Sequence, residues 1–218
     1  MEDQIVESGK PTDPIALPVV FDGSRKILLK LLSSEGTREV TVRFPSDEEW
    51  VEYNRRRKII IKQLGRGISE TVVPDSGEAD TALFAKIREG EGPEVDSFEA
   101  NRILRQLSQA DVDDVVSEAG AFRVVLRVPG GLTVHIMRMP SAKEVSDFRR
   151  TFARILDLPY GKKELTLNHA AASALYQKLA QGTEGYAGAV PIIHQVAAVS
   201  AAIDALDAAF AGDQTGNF

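Results

Sequence analysis

Chemistry in this sequence would begin with its three histidines, whose ordinary titration lies near neutrality. His135 falls in a strand-patterned run, His169 early in a helix-patterned stretch and His194 in the last apolar segment. None has a histidine or carboxylate at ligand spacing on its own element, so a metal site would need all three to converge through the fold. Solvated or hydrogen-bonded imidazoles are the expectation. The closest carboxylate pairs, Asp47 with Glu48 and Asp113 with Asp114, are adjacent in sequence. Neighbours of that kind point to different helix faces, whereas an acid and a base must converge on one substrate. G-x-S-x-G, G-x-x-x-x-G-K-[ST], G-x-G-x-x-G and H-E-x-x-H do not occur, and the clusters GRG and GEG lack the lysine and hydroxyl that phosphate binding uses. With no cysteine, thiolate ligands and a thiol nucleophile are also excluded. The expectation is a protein that is not an enzyme, with no catalytic, cofactor-binding or metal-binding residues.

A second stretch carries charge rather than chemistry. Arg55, Arg56, Arg57, Lys58, Lys62 and Arg66 are six basic residues with no acid among them, beside Trp50 and Tyr53. Aromatic rings among arginines are one way to bind single-stranded nucleic acid. However, the whole chain has a net charge of −6 and a pI near 5.2, which argues against broad phosphate binding. The acids Asp47, Glu48, Glu49 and Glu52 come immediately before the basic run. Acids first and bases last is the order a helix macrodipole favours, by about 0.3–1 kcal/mol per well-placed charge. The basic residues therefore read as the later turns of one helix, then as a surface for an acidic protein, and last as a nucleic-acid-binding helix over 54–66. Trp50 is expected in the core, stapled to Phe44.

The elements that would hold these residues follow from periodicity. The 218 residues, 43% apolar and 27% charged, suit one large or two small globular domains. Residues 1–16 are polar and acidic, unlike a signal peptide, and no apolar run approaches the roughly 20 residues of a bilayer span. The expected location is the cytoplasm. Residues 17–73 read as strands VVF, RKILLKLL and REVTVRF, then a helix opened by a Ser46/Glu49 capping box, with Trp50, Tyr53, Ile60, Ile61 and Leu64 on one stripe. Residues 74–119 hold twelve acids against four basic residues between Asp75 and Glu118 and read as short amphipathic helices. Their acidic face is a candidate neighbour for the Arg55–Lys62 surface.

Residues 120–162 repeat the first pattern: AFRVVLRV, a Pro-Gly-Gly turn, LTVHIMRM, then a capped helix. Offset by 95 positions, Arg43, Pro45, Ser46, Glu49 and Arg55 match Arg138, Pro140, Ser141, Glu144 and Arg150, while Ile60 and Ile61 meet Ile155 and Leu156. Internal duplication and convergent capping both account for this. Residues 163–212 read as a helical hairpin: KKELTLNHAAASALYQKLAQG, then a helix with Ile192, Val196, Val199, Ile203, Leu206 and Phe210 at steps of four and three. That seam faces either its own hairpin partner or another protein, and 213–218 form a short tail. The fold class is α+β, with two hairpin-plus-helix units, an acidic helical insert and a C-terminal helical hairpin.

Two stretches, FPSDEEWVEYNRRRKIIIKQLGRGISET and EGYAGAVPIIHQVAAVSAAIDAL, resemble segments of small proteins encoded among the tail genes of tailed bacteriophages, including tail assembly chaperones. The resemblance covers about a quarter of the chain. It implies a non-enzymatic role through protein–protein contacts, as a chaperone of tail-tube or tape-measure subunits in the host cytoplasm or as a virion subunit. The partner-binding residues would be the six basic side chains and the six of the apolar seam. The partners would be other proteins or further copies of the chain, with no membrane and no cofactor.

Overall fold

The computed structural model describes residues 21–33, 36–57, 59–65, 68–72, 77–118 and 120–214, so the expected N-terminal tail lies outside them. In chain order the elements are β1 (Ile27–Ser33), β2 (Gly36–Val42), α1 (Asp47–Arg56), β3 (Ile59–Gly65), β4 (Ile68–Val72), α2 (Gly77–Ile87) and α3 (Ser97–Leu107). There follow β5 (Asp111–Glu118), β6 (Ala121–Val128), β7 (Gly131–Arg138), α4 (Ala142–Phe152), β8 (Ala153–Leu158), β9 (Lys162–Leu167), α5 (His169–Leu179), β10 (Ala180–Glu184) and α6 (Ile192–Gln214). The class is α+β. All strand pairings are antiparallel: a hairpin β1–β2, a sheet β10–β7–β6–β5 and a sheet β4–β3–β9–β8.

Both capped helices form where the sequence places them. Ser46 accepts from the Glu49 amide while the Glu49 carboxylate accepts from the Ser46 amide, and Ser141 with Glu144 repeats the arrangement. In each half an arginine then closes on the box glutamate. Arg43 grips Glu49 through two 2.7 Å bonds, and Arg138 grips Glu144 at 2.9 and 2.6 Å. These bidentate contacts pull both carboxyls down to about 2. Phe44 and Trp50 meet edge to face at 6.2 Å, and Trp50 is 2% exposed.

Helix α1 stops at Arg56, which corrects the expected helix over 54–66. The C-cap Arg57 takes extended backbone (φ −84°, ψ 90°), and Ile59, Ile60 and Ile61 enter β3. Three consecutive β-branched residues fit a strand better than a helix, and β9 completes the pairing, with Ile59 opposite Leu165 and Ile61 opposite Lys163. The second half repeats this, since α4 ends at Phe152 and the continuation ARILDL is β8.

Three more expectations need correction. The acidic segment is helical only through Leu107; its end, DVDDVVSE, is the edge strand β5. KKELTL is β9 rather than helix, and α5 begins after the N-cap Asn168, whose side chain accepts from the Ala171 amide. The C-terminal hairpin is interrupted by β10, although α5 and α6 still pack together. Of the VVF strand, only Phe21 is described, in an isolated parallel bridge to Tyr186. Helix α6 runs through Gln214, into the expected tail.

The order hairpin, capped helix, hairpin, helix thus occurs twice at an offset close to 95, with β3–β4 matching β8–β9. After α2, Arg88 bridges Val42 on β2, much as β10 pairs with β7 after α5. One buried cluster, from Phe21 and Val42 through Ile103 and Leu126 to Leu206, joins both halves. Helix α6 packs on α5, β5, β6 and α1. Contrary to the expectation that no apolar run approaches a bilayer span, its residues Ile192–Ala209 are long and apolar enough to cross a membrane, yet half of that window is buried within the fold, as in a core helix.

Candidate functional site

The apolar seam of α6 belongs to the interior. Ile192, Val199, Ile203 and Leu206 are buried in the chain's own core and Val196 is half-buried; the side chain of Phe210 lies outside the described residues. The start of α6 ties the halves together. Its first amide, on Ile192, donates to the Asp47 carboxylate of α1 at 2.8 Å, and His194 packs against Phe21 and Phe44.

The described basic residues divide between the end of α1 and strand β3. Arg55 and Arg56 both pair with Glu52, at 2.8 and 2.6 Å, and Arg57 lies over the Tyr53 ring at 5.6 Å. Lys62 sits in β3 between Lys162 and Glu70, while Lys58 and Arg66 lie outside the described residues. Three ion pairs of the acidic segment go to other partners: Glu99 to Arg38, Glu89 to Lys26 and Asp113 to Arg127. Its buried acid, Asp80, accepts from the Tyr53 hydroxyl at 2.6 Å and from Asn101 at 2.9 Å. Burial and this bond push the Tyr53 phenol well above its usual range.

Where α1 ends and α5 begins, two adjoining cavities of about 100 and 300 Å³ open. Asn54, Arg55, Arg57, Arg154, Thr166 and His169 line them, with Glu164 in the wall. The ring of His169 is kept below its ordinary pKa by burial. Glu164 lines the smaller cavity, while the larger is lined by Arg55 and Arg154 and by no carboxylate.

Two of the three histidines do converge, in a network that sequence reasoning missed. His135 on β7 and His194 on α6 are both fully buried and meet at the Tyr186 hydroxyl, at 3.0 Å from Nε2 and 3.1 Å from Nδ1. That hydroxyl also lies 3.1 Å from Thr133 Oγ1, and His135 Nδ1 is 2.9 Å from the Tyr176 hydroxyl. One proton assignment uses every donor once. Tyr176 O–H donates to His135 Nδ1; His135 Nε2–H and His194 Nδ1–H donate to the Tyr186 oxygen; Tyr186 O–H donates to Thr133, whose hydroxyl faces the Leu126 carbonyl. Only His194 Nε2 lacks a partner.

Burial holds both rings neutral, with the pKa of His135 lowered to about 4 and that of His194 to about 3. Burial likewise raises the Tyr176 phenol to about 12. His135, His194, Thr133 and Tyr176 are buried and Tyr186 is partly exposed, and this cluster of two neutral imidazoles, two phenols and a threonine orients the core elements that carry it. Among the described residues no group of three or more His, Asp or Glu side chains is placed to hold a metal ion. Its residues fall on four separate segments, with no spacing signal that a sequence could carry.

The sheet β4–β3–β9–β8 leaves apolar side chains uncovered on β8. Along its edge strand β8, Ile155 and Leu156 remain 55% and 39% exposed, and Tyr160 at the tip of the β8–β9 hairpin is 97% exposed in left-handed backbone (φ 63°). No family model, no curated protein and no solved structure matches this chain.

Proposed function

We propose that this chain is a non-enzymatic assembly or structural protein that works through protein–protein contacts, of the kind encoded among phage tail genes. The observation that carries the reading is the sheet β4–β3–β9–β8, whose outer strands β4 and β8 have one backbone edge unpaired among the described residues, with Ile155 and Leu156 of β8 exposed. Such edges bind partner strands through main-chain hydrogen bonds, with alternate side chains giving specificity. The histidine cluster supports the same reading, because both imidazoles are fully buried and their hydrogen bonds tie β7, α5 and α6 together. The seam of α6 is spent on the chain's own packing, which moves the contact surface from that helix to the sheet edges. The host cytoplasm, or the virion, is the location this role requires.

Co-expression with tail-tube and tape-measure subunits, followed by affinity capture, tests the reading. Retention of a tail subunit that is lost on Ile155→Lys supports it, and capture of neither subunit type counts against it. A nucleic-acid-binding role for Arg55, Arg56, Arg57 and Lys62 is the competing outcome, and Glu52 already pairs two of the four. Binding of DNA or RNA that weakens steeply with salt would favour that role.

A further inference from the structure

The sheet β4–β3–β9–β8 is made by two hairpins that occupy equivalent places in the two halves, β3–β4 in the first and β8–β9 in the second. They do not join through equivalent strands. β3 of the first half pairs with β9 of the second, whereas a two-fold junction would set β3 against β8 or β4 against β9. The junction within the chain is therefore head to tail. It uses up the outer edge of β3 and the outer edge of β9. What remains is the outer edge of β8, the counterpart of β3, and the outer edge of β4, the counterpart of β9. These are the two halves of the same junction, unpaired among the described residues at opposite ends of the sheet.

We propose that copies of this chain join head to tail, the free edge of β8 in one copy pairing antiparallel with the free edge of β4 in the next. This deepens the assembly reading and rests on it, with a second copy as the partner. Head-to-tail contacts do not stop at a dimer: they close into a ring or continue as a filament, depending on the rotation per step.

Side chains along the two edges agree with this. Ile60 and Ile61 of β3 are partly covered between β4 and β9, and their counterparts at the 95-residue offset, Ile155 and Leu156, are the exposed apolar pair of β8. Carrying the observed Ile59–Leu165 register over by the same offset sets Arg154 of one copy opposite Glu70 of the next, both exposed and of opposite charge. The other four-stranded sheet treats its edges differently. Its outer strand β5 carries Asp111, Asp113, Asp114 and Glu118 and a bulge between Val112 and Asp114, and β10 is bulged between Ala180 and Gly182. Charge and bulges are the devices that keep an edge from pairing. β8 carries two charged residues, Arg154 and Asp157, and no bulge.

Because the chain has no cysteine, introduced thiols report on this junction alone. Full-length Arg154→Cys and Glu70→Cys chains are mixed, oxidised mildly and run without reductant. Leu156→Cys with Glu70→Cys covers a register displaced by two residues. The expected result is a mixed dimer from one of these pairs, little self-dimer of any single variant, and a ladder or one ring-sized band when both cysteines are on one chain. Sedimentation of the unmodified chain should show mass rising above 23.7 kDa with concentration, and Ile155→Lys/Leu156→Lys, with its circular dichroism retained, should stay at that mass. A concentration-independent monomer with no mixed dimer overturns the proposal, as does Arg154→Cys dimerising with itself, which would mean a two-fold contact. If the thiols fail to link while tail subunits are still captured through β8, the assembly reading stands and the second copy is refuted.

Discussion

Lowering the pH should weaken this fold well before its carboxylates respond. His135 and His194 are neutral in the folded protein, with pKa values near 4 and 3, and each titrates near 6.5 when unfolded. The unfolded chain therefore takes up protons that the folded chain refuses. For groups depressed in this way, stability is fully present above the unfolded pKa and is lost as pH falls toward the folded one. Each ring contributes a slope that is about half of 1.4 kcal/mol per pH unit at pH 6.5 and approaches that value below it, so the two together cost about 3 kcal/mol between pH 6.5 and pH 5. That is a large share of the roughly 5–15 kcal/mol that stabilises a typical domain. The carboxylates Glu49 and Glu144 act in a separate window, below about 4.5, because their folded values lie near 2. Urea unfolding followed by the fluorescence of Trp50, the sole tryptophan and a buried one, reads this directly at half-unit steps from pH 8 to pH 5. His194→Gln should roughly halve the slope. Stability that stays flat from pH 8 to pH 5 in the unsubstituted protein would refute the buried neutral pair.

Three further outcomes follow from the same packing. Tyr186→Phe strands two imidazole N–H groups; at about 1–3 kcal/mol for each buried unsatisfied group, a loss of at least about 2 kcal/mol in urea unfolding is expected. Ile203→Ala should cost about 2–5 kcal/mol, because this seam residue is buried in the chain's own core; an unchanged midpoint would return the seam to a partner. Ser46→Ala and Ser141→Ala should each cost about 1 kcal/mol in chemical denaturation, nearly equal because the two capping boxes have matching geometry.

What the sequence revealed depended on how local the cause was. Both capping boxes were legible, since Ser46 with Glu49 and Ser141 with Glu144 make their bonds within one turn. The Phe44–Trp50 staple was legible for the same reason. The end of α1 was not, because Trp50, Tyr53, Ile60 and Ile61 fit a helical stripe as well as a helix followed by a strand. Pairing with β9, about a hundred residues away, decides between them. Acid content hid β5: the alternation in DVDDVVSE was outweighed by a composition that suggested helices. The basic run looked like a surface because sequence gives charge and spacing but not partners, and Glu52 takes two of its arginines. The meeting of His135, His194, Tyr176 and Tyr186 depends wholly on how β7, α5 and α6 pack.

The central claim is that this protein acts through the open edges of β8 and β4. Hydrogen exchange of backbone amides, measured on dilute chain and again at assembling concentration or with a captured tail subunit, tests it most directly. The account predicts slower exchange on association in β8, β4 or both, while the already paired β3 and β9 change little. Unchanged exchange along both outer strands, with protection appearing over Arg55–Arg57 or nowhere, would contradict it.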